Sequence, residues 1–107
     1  MSIVDILSVL LAATLAWAGC LNLAGPHFIR AEFKAWGYSD RLRVAVGALE
    51  WSAAVAVLFP TFRLIGCLIA AAVLLGVLFT LLRERAYMRL EYPLVLLVLV
   101  LIVAIGH

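Results

Sequence analysis

The sequence predicts an all-α fold: a polytopic membrane four-helix bundle with a short interfacial amphipathic helix between its first and second long helices. Three observations predict it. The 107 residues are 68% hydrophobic and 13% charged, whereas soluble domains run at about 45–50% apolar and about 25% charged. The apolar residues gather into four stretches divided by turn signals. The basic residues crowd into alternate connections. A water-soluble monomer of this composition would lack the polar side chains to cover itself, so lipid is the expected solvent. The length fits one domain over residues 1–107.

The first helix is expected over about 3–24, and Gly25-Pro26 ends it. Ala16-Trp17-Ala18 resembles a small-x-small cleavage site, but Asp5 and no Lys or Arg precede it, and the apolar run continues to Leu23. Signal peptides start basic, so this segment is expected to remain as a span. The stretch at about 26–36, PHFIRAEFKAW, places Ile29, Phe33 and Trp36 at i, i+4, i+7, with Arg30 and Lys34 on a neighbouring face. Gly37 is placed to stop a helix there. This pattern predicts an interfacial helix in the headgroup layer, and Trp36, Tyr38, Tyr87 and Tyr92 would form an aromatic belt beside it.

The second long helix is expected over about 41–59, capped by Ser39 or Asp40. Pro60-Thr61 divides it from the third, at about 62–82. The fourth is expected over about 90–106. A bilayer core takes about 17–25 helical residues, and the first three apolar stretches are expected to qualify. Residues 93–106 alone are short, so the last helix must start nearer Tyr87 or end at the interface. Backbone groups in lipid must pair within their own segment, which makes all four helices.

With four spans, Arg30, Lys34, Arg41, Arg43, Arg83, Arg85 and Arg89 fall on one side, and Arg63 alone on the other. The positive-inside rule makes the first side cytoplasmic and leaves both termini outside.

Within GALEWSAAVAVLFP, residues 47–60, Glu50 stands out. A charge in the bilayer interior costs at least about 2.5–3.5 kcal/mol, so Glu50 should face other helices. At 100° per residue Arg43, Val46, Gly47, Ala53, Ala54 and Val57 share its face, while Val44, Trp51, Val55 and Leu58 form a bulky stripe suited to lipid. Ala48, Ser52 and Ala56 form a small row on the far side. Ala12, Ala16 and Cys20 do so on the first helix, and Gly66 with Ala70 and Ala72 with Gly76 on the third. Such rows allow close helix approach.

Counting about 1.5 Å per residue from level helix ends puts Thr14 and Trp17 at the depth of Glu50, as hydrogen-bond donors to it. Arg43, two turns away on the same face, could reach it as well. The roles open to Glu50 are a structural hydrogen bond between helices and a proton or substrate site.

Cys20 and Cys67 are expected about 15 Å apart in depth, too far for a disulfide, which needs Cα atoms within about 7 Å. His27 and His107 stand alone on opposite sides, so no metal site is expected. No phosphate loop, hydrolase motif or basic block for nucleic acid is present.

The order AWAGCLNLAGP, FIRAEFKAWGY, GALEWSAAVAVLFP, RLIGCLIAAAVLLG and EYPLVLLVLVL resembles the DoxX-like family of small four-helix membrane proteins over nearly the whole chain. Gly47 and Glu50 match its Gly-x-x-Glu in the second helix. The family commonly has Gly-x-x-Lys-Leu near the end of the first helix. Here Gly19 to Leu23 reads GCLNL, with Asn22 in the lysine's place. The resemblance implies a bacterial inner-membrane protein and a link to quinones, thiol stress and oxidoreductase assemblies.

The resulting expectation is a redox- or quinone-associated accessory subunit with no assigned catalytic residue. Its candidate polar site is Glu50, Asn22, Thr14, Trp17 and Arg43. No cofactor is evident from the residues, and a quinone is the class the resemblance points to. Its partners would be the bilayer, a cytoplasmic or membrane protein, and a second copy of the chain. The alternative is a small proton-coupled transporter using Glu50.

Overall fold

A computed structural model describes residues 1–107. The chain forms five α-helices and no strand: α1 (Ile3–Ala24), α2 (His27–Ala35), α3 (Asp40–Leu58), α4 (Arg63–Arg83) and α5 (Glu91–Gly106), with 3-10 turns at Pro60–Phe62 and Tyr87–Arg89. The ends lie where the sequence's punctuation puts them. Ser2 and Asp5 form a capping box at the start of α1. Gly25, at φ +61°, takes the left-handed position after its end. Ser39 caps α3, its hydroxyl accepting from the Leu42 N–H. After α2, Gly37 at φ +81° turns the chain while its N–H donates to the Lys34 carbonyl and that of Tyr38 to Phe33. That is the Schellman pattern.

The four long helices follow one another around a common core, α1 against α3, α3 against α4, α4 against α5, and α5 back against α1. Each contributes three residues to it: Leu11, Ala12 and Leu15; Ala53, Ala54 and Val57; Cys67, Ala70 and Leu74; Leu96, Val100 and Val103. Much of the remaining apolar surface points outward. The α3 stripe of Val44, Trp51, Val55 and Leu58 is exposed, while Arg43, Gly47, Glu50, Ala53, Ala54 and Val57 are buried. Large outward apolar faces on so many helices belong to a protein surrounded by hydrocarbon.

Three helical segments are long and apolar enough to cross a membrane: Ile3–Ala24, Pro60–Arg83 and Tyr87–Gly106. The last begins at the 3-10 turn at Tyr87, which is one of the two ways the short fourth stretch was expected to gain length. The second stretch, expected to qualify, is not among the three. The reason is its composition: Asp40, Arg41, Arg43 and Glu50 all fall within the 19 residues of α3.

The small rows behave unequally. Gly66 packs so tightly on α3 that a Cβ there would lie 2.9 Å from the Ala53 carbonyl oxygen. Ala48, Ser52 and Ala72 are exposed, and a Cβ on Gly76 would meet nothing within 4 Å. The closest approach of α1 to α3 is instead made by two glycines outside those rows. A Cβ on Gly19 would lie 3.0 Å from the Gly47 carbonyl oxygen, and one on Gly47 would lie 3.0 Å from the Leu23 nitrogen.

Candidate functional site

The Gly19–Gly47 crossing sets the register of α1 and α3, and through it the surroundings of Glu50. Gly47 lies against Asn22 and Leu23, in the last turn of α1. The two helices therefore do not end level, because the first two turns of α3, about 10 Å of helix, overhang the end of α1. Glu50 comes opposite Asn22, and the Asn22 side-chain amide donates to Glu50 Oε1.

This corrects the donors expected from level ends. The Thr14 hydroxyl donates to the Leu10 carbonyl of its own helix, 2.9 Å away. Such back-bonding satisfies a hydroxyl without a partner helix. Trp17 is 66% exposed and makes no hydrogen bond to Glu50. Nor does Arg43 reach upward. Its guanidinium is turned to the end of α1, where Nη1 donates to the carbonyls of Asn22 and, at 3.4 Å, Leu23. Its Nε lies 3.3 Å from Asp40 Oδ1. A cation on the carbonyl end of a helix is favourably placed. Arg43 is thereby held on the backbone, and Glu50 has no ion-pair partner.

Glu50 and Asn22 lie in the wall of a cleft of about 850 Å³ bounded by α1, α2, α3, the last turns of α4 and the start of α5. The remaining wall is mostly apolar and aromatic, with Trp17, Phe33, Trp36 and Tyr92 its largest side chains. The volume lies within the range of small-molecule pockets, about 300–1,000 Å³. At the far end of the molecule α1 and α5 come together, where Gly106 lies against Val4.

Glu50 accepts from Asn22 through Oε1 alone, and no sealed side-chain oxygen or nitrogen in the protein lacks a partner. Its second carboxyl oxygen is therefore reachable from the cleft. The arrangement can receive one hydrogen-bonding group of a flat apolar molecule.

α2 forms where the periodicity places it, but its stripe of Ile29, Phe33 and Trp36 lines the cleft instead of facing outward onto lipid. Phe28 is the large apolar side chain that α2 exposes. Arg30 ties the helix back to α1, its Nε donating to the Gly25 carbonyl at 2.6 Å. Lys34 is exposed.

Beyond Gly37, the Tyr38 and Thr80 hydroxyls are hydrogen-bonded at 2.7 Å. Arg83 donates to the Trp36 carbonyl at 2.7 Å and lies over the Tyr38 ring. Two further wall residues, Glu32 and Arg89, form an ion pair, and the Arg89 guanidinium lies 5.6 Å from the centre of the Trp36 ring. Sequence reasoning did not single out this pair. Glu32 was legible in part, since 29, 32, 33 and 36 follow the i, i+3, i+4, i+7 pattern of one helix face. Its partner, 57 residues on, gave no such signal.

A sequence model of the DoxX-like family matches residues 6–103. The chain belongs to the DoxX-like family. No match was found among curated proteins or among solved structures. Family membership and the three apolar helices together make this DoxX-like protein a membrane protein. The Gly-x-x-Glu that carried the resemblance now has a physical content. Gly47 lets α1 approach, and that approach presents Asn22 to Glu50.

Proposed function

We propose that this DoxX-like protein is a polytopic bacterial inner-membrane subunit that holds the ring of a quinone-type amphipath over Glu50 on behalf of a redox partner. In this reading residues 1–107 form one domain. The spans are α1, α3, α4 and α5, with α2 at the cytoplasmic surface and both termini outside. The six exposed basic residues of that surface, Arg30, Lys34, Arg41, Arg83, Arg85 and Arg89, would meet the partner protein.

The observation that carries the reading is the reachable carboxyl oxygen of Glu50 in an aromatic-lined cleft. An intramembrane acid is by default a candidate for function. Binding is favoured over catalysis because the hydrogen-bond partner of Glu50 is an amide, which neither gives nor takes a proton. A quinone would supply reversible two-electron chemistry. The residues here would orient its ring between Trp17, Phe33, Trp36 and Tyr92, and a protonated Glu50 would give one ring oxygen a hydrogen bond.

Proton-coupled transport through Glu50 would require access from both ends. The end opposite the cleft is filled by the Val4–Gly106 contact and by Arg63, which is 5% exposed. Transport would need those contacts to open in turn with the cleft.

The test uses the purified chain in lipid nanodiscs, titrated with decyl-benzoquinone and followed by tryptophan quenching. Saturable quenching is expected, and Glu50→Leu, which has no hydrogen-bonding group, should weaken it by about tenfold, the size of one lost hydrogen bond. Quenching that never saturates would sink the quinone. Cation uptake driven by a pH gradient in proteoliposomes would replace this reading with transport.

A further inference from the structure

The cleft has a movable edge. Residues 84–90, between the end of α4 and the start of α5, include no buried residue. Met88 in their middle is 95% exposed although it lines the cleft. The backbone hydrogen bonds that start from these residues run within the segment or back into the end of α4. Arg85 sits at φ +56°, a conformation L side chains adopt reluctantly. Pro93, fully buried in the first turn of α5, anchors the far side.

The opposite lip is fastened differently. α2 and the turn after it are held by Arg30 on Gly25, Tyr38 on Thr80 and Arg83 on the Trp36 carbonyl. One side chain of the 84–90 segment crosses to α2, and that is Arg89. It reaches Glu32 and Trp36 across the mouth. The pair is partly open to its surroundings, with the arginine side chain 54% and the glutamate 24% exposed.

We propose that residues 84–90 are a flap at the mouth of the Glu50 cleft, latched in place by the Glu32–Arg89 pair with Trp36 as the surface on which the guanidinium rests. This deepens the reading above, since it rests on the cleft being a binding site and assigns the control of access to it. The latched flap narrows the mouth beside Trp36, while Trp17 and Tyr92 stay 66% and 54% exposed. The released flap widens the path from the basic surface of the protein to Glu50. A partner presenting a carboxylate to Arg89, or a cation to Glu32, would open it by substitution.

The latch is measured without any ligand. Nitroxide labels at Ala31→Cys on α2 and Met88→Cys on the flap, in a Cys20→Ser background, report the width of the mouth by pulsed electron resonance. Cys67, buried in the core, stays out of reach of the reagent. The expected result is one short, narrow distance distribution, shifted longer and broadened by Arg89→Gln or Glu32→Gln. The exchange Glu32→Arg with Arg89→Glu should restore the short distance, which a loss of packing alone would not allow.

Identical distributions with and without the single changes would overturn the proposal. So would failure of the exchange to restore the distance while the helical circular dichroism is unchanged. A Glu32→Cys, Arg89→Cys pair, oxidised, should lower the rate of decyl-benzoquinone quenching severalfold. An unlatched flap with no quinone quenching in any variant would sink the ligand and leave the latch standing.

Discussion

The two ends of the molecule use the same chemistry to opposite effect. At one end Arg63 is buried. Its Nε donates to the Val57 carbonyl at 2.8 Å, and its Nη1 lies 3.2 Å from Asp5. The cation is absorbed between α1 and the end of α3, and Gly106 seals the neighbouring gap against Val4. At the other end Arg43 is just as buried, at 4% exposure. Its donors go to backbone carbonyls and Asp40, and the nearby acid Glu50 is left with an amide. The pair that crosses the mouth there, Glu32–Arg89, sits on the surface. A buried acid beside an available arginine would normally close on it. Here the arginine is occupied, and the acid stays reachable. The difference separates a structural end from a candidate working end.

The strongest way to break this comparison is to part α1 from α3. Gly47→Leu would drive a side chain into the Leu23 backbone at the crossing. Overpacking of this kind costs about 3 kcal/mol at its upper range. Asn22 would also lose its place opposite Glu50. Thermal unfolding of the purified variant in detergent should show the largest drop of any change discussed here. A variant as stable as the parent would mean that the helices do not cross at Gly19 and Gly47.

The next test sets the two arginines against each other. Arg63→Leu leaves the Val57 carbonyl without its donor inside the protein, and about 2 kcal/mol of destabilisation is expected. Arg89→Leu removes a surface pair and should change stability by less than about 1 kcal/mol. Both are read as midpoints of the same thermal melts. Equal effects would mean the ends are built alike, and the contrast between them would fall.

The sequence was informative where local chemistry decides. Ser39, Gly25-Pro26, Gly37 and Pro93 bracket the helices within a residue or so, because caps and turns depend on neighbours along the chain. The buried face of α3 was equally readable from its periodicity. The register between helices was not. Counting depth from level ends led to Thr14 and Trp17, whereas a glycine crossing, visible only once two helices are placed together, brings Asn22 to Glu50. The Glu32–Arg89 pair escaped for the same reason. The site was thus legible in its acid and in the asparagine flagged by family resemblance, and illegible in its geometry.

The smallest expected effect concerns how helices end on either side of the cleft. α1 ends on Gly25 in the left-handed region, and α2 is followed by Gly37 there, as the geometry favours. α4 ends in the same pattern, with the Ala86 N–H donating to the Leu81 carbonyl and that of Arg85 to Leu82, but the left-handed position is held by Arg85. A non-glycine residue there carries a strain of about 1 kcal/mol. Arg85→Gly should therefore stabilise the protein. Glycine's greater freedom in the unfolded chain offsets part of the gain, so about 0.5 kcal/mol is expected, seen as a modest rise in the melting midpoint. The same change loosens the flap at its α4 end, so it should also broaden the distance distribution across the mouth. A more stable protein with a wider mouth would place the strain of Arg85 in the service of the latch. A lower melting point would show that the Arg85 side chain does more for the fold than its backbone conformation costs.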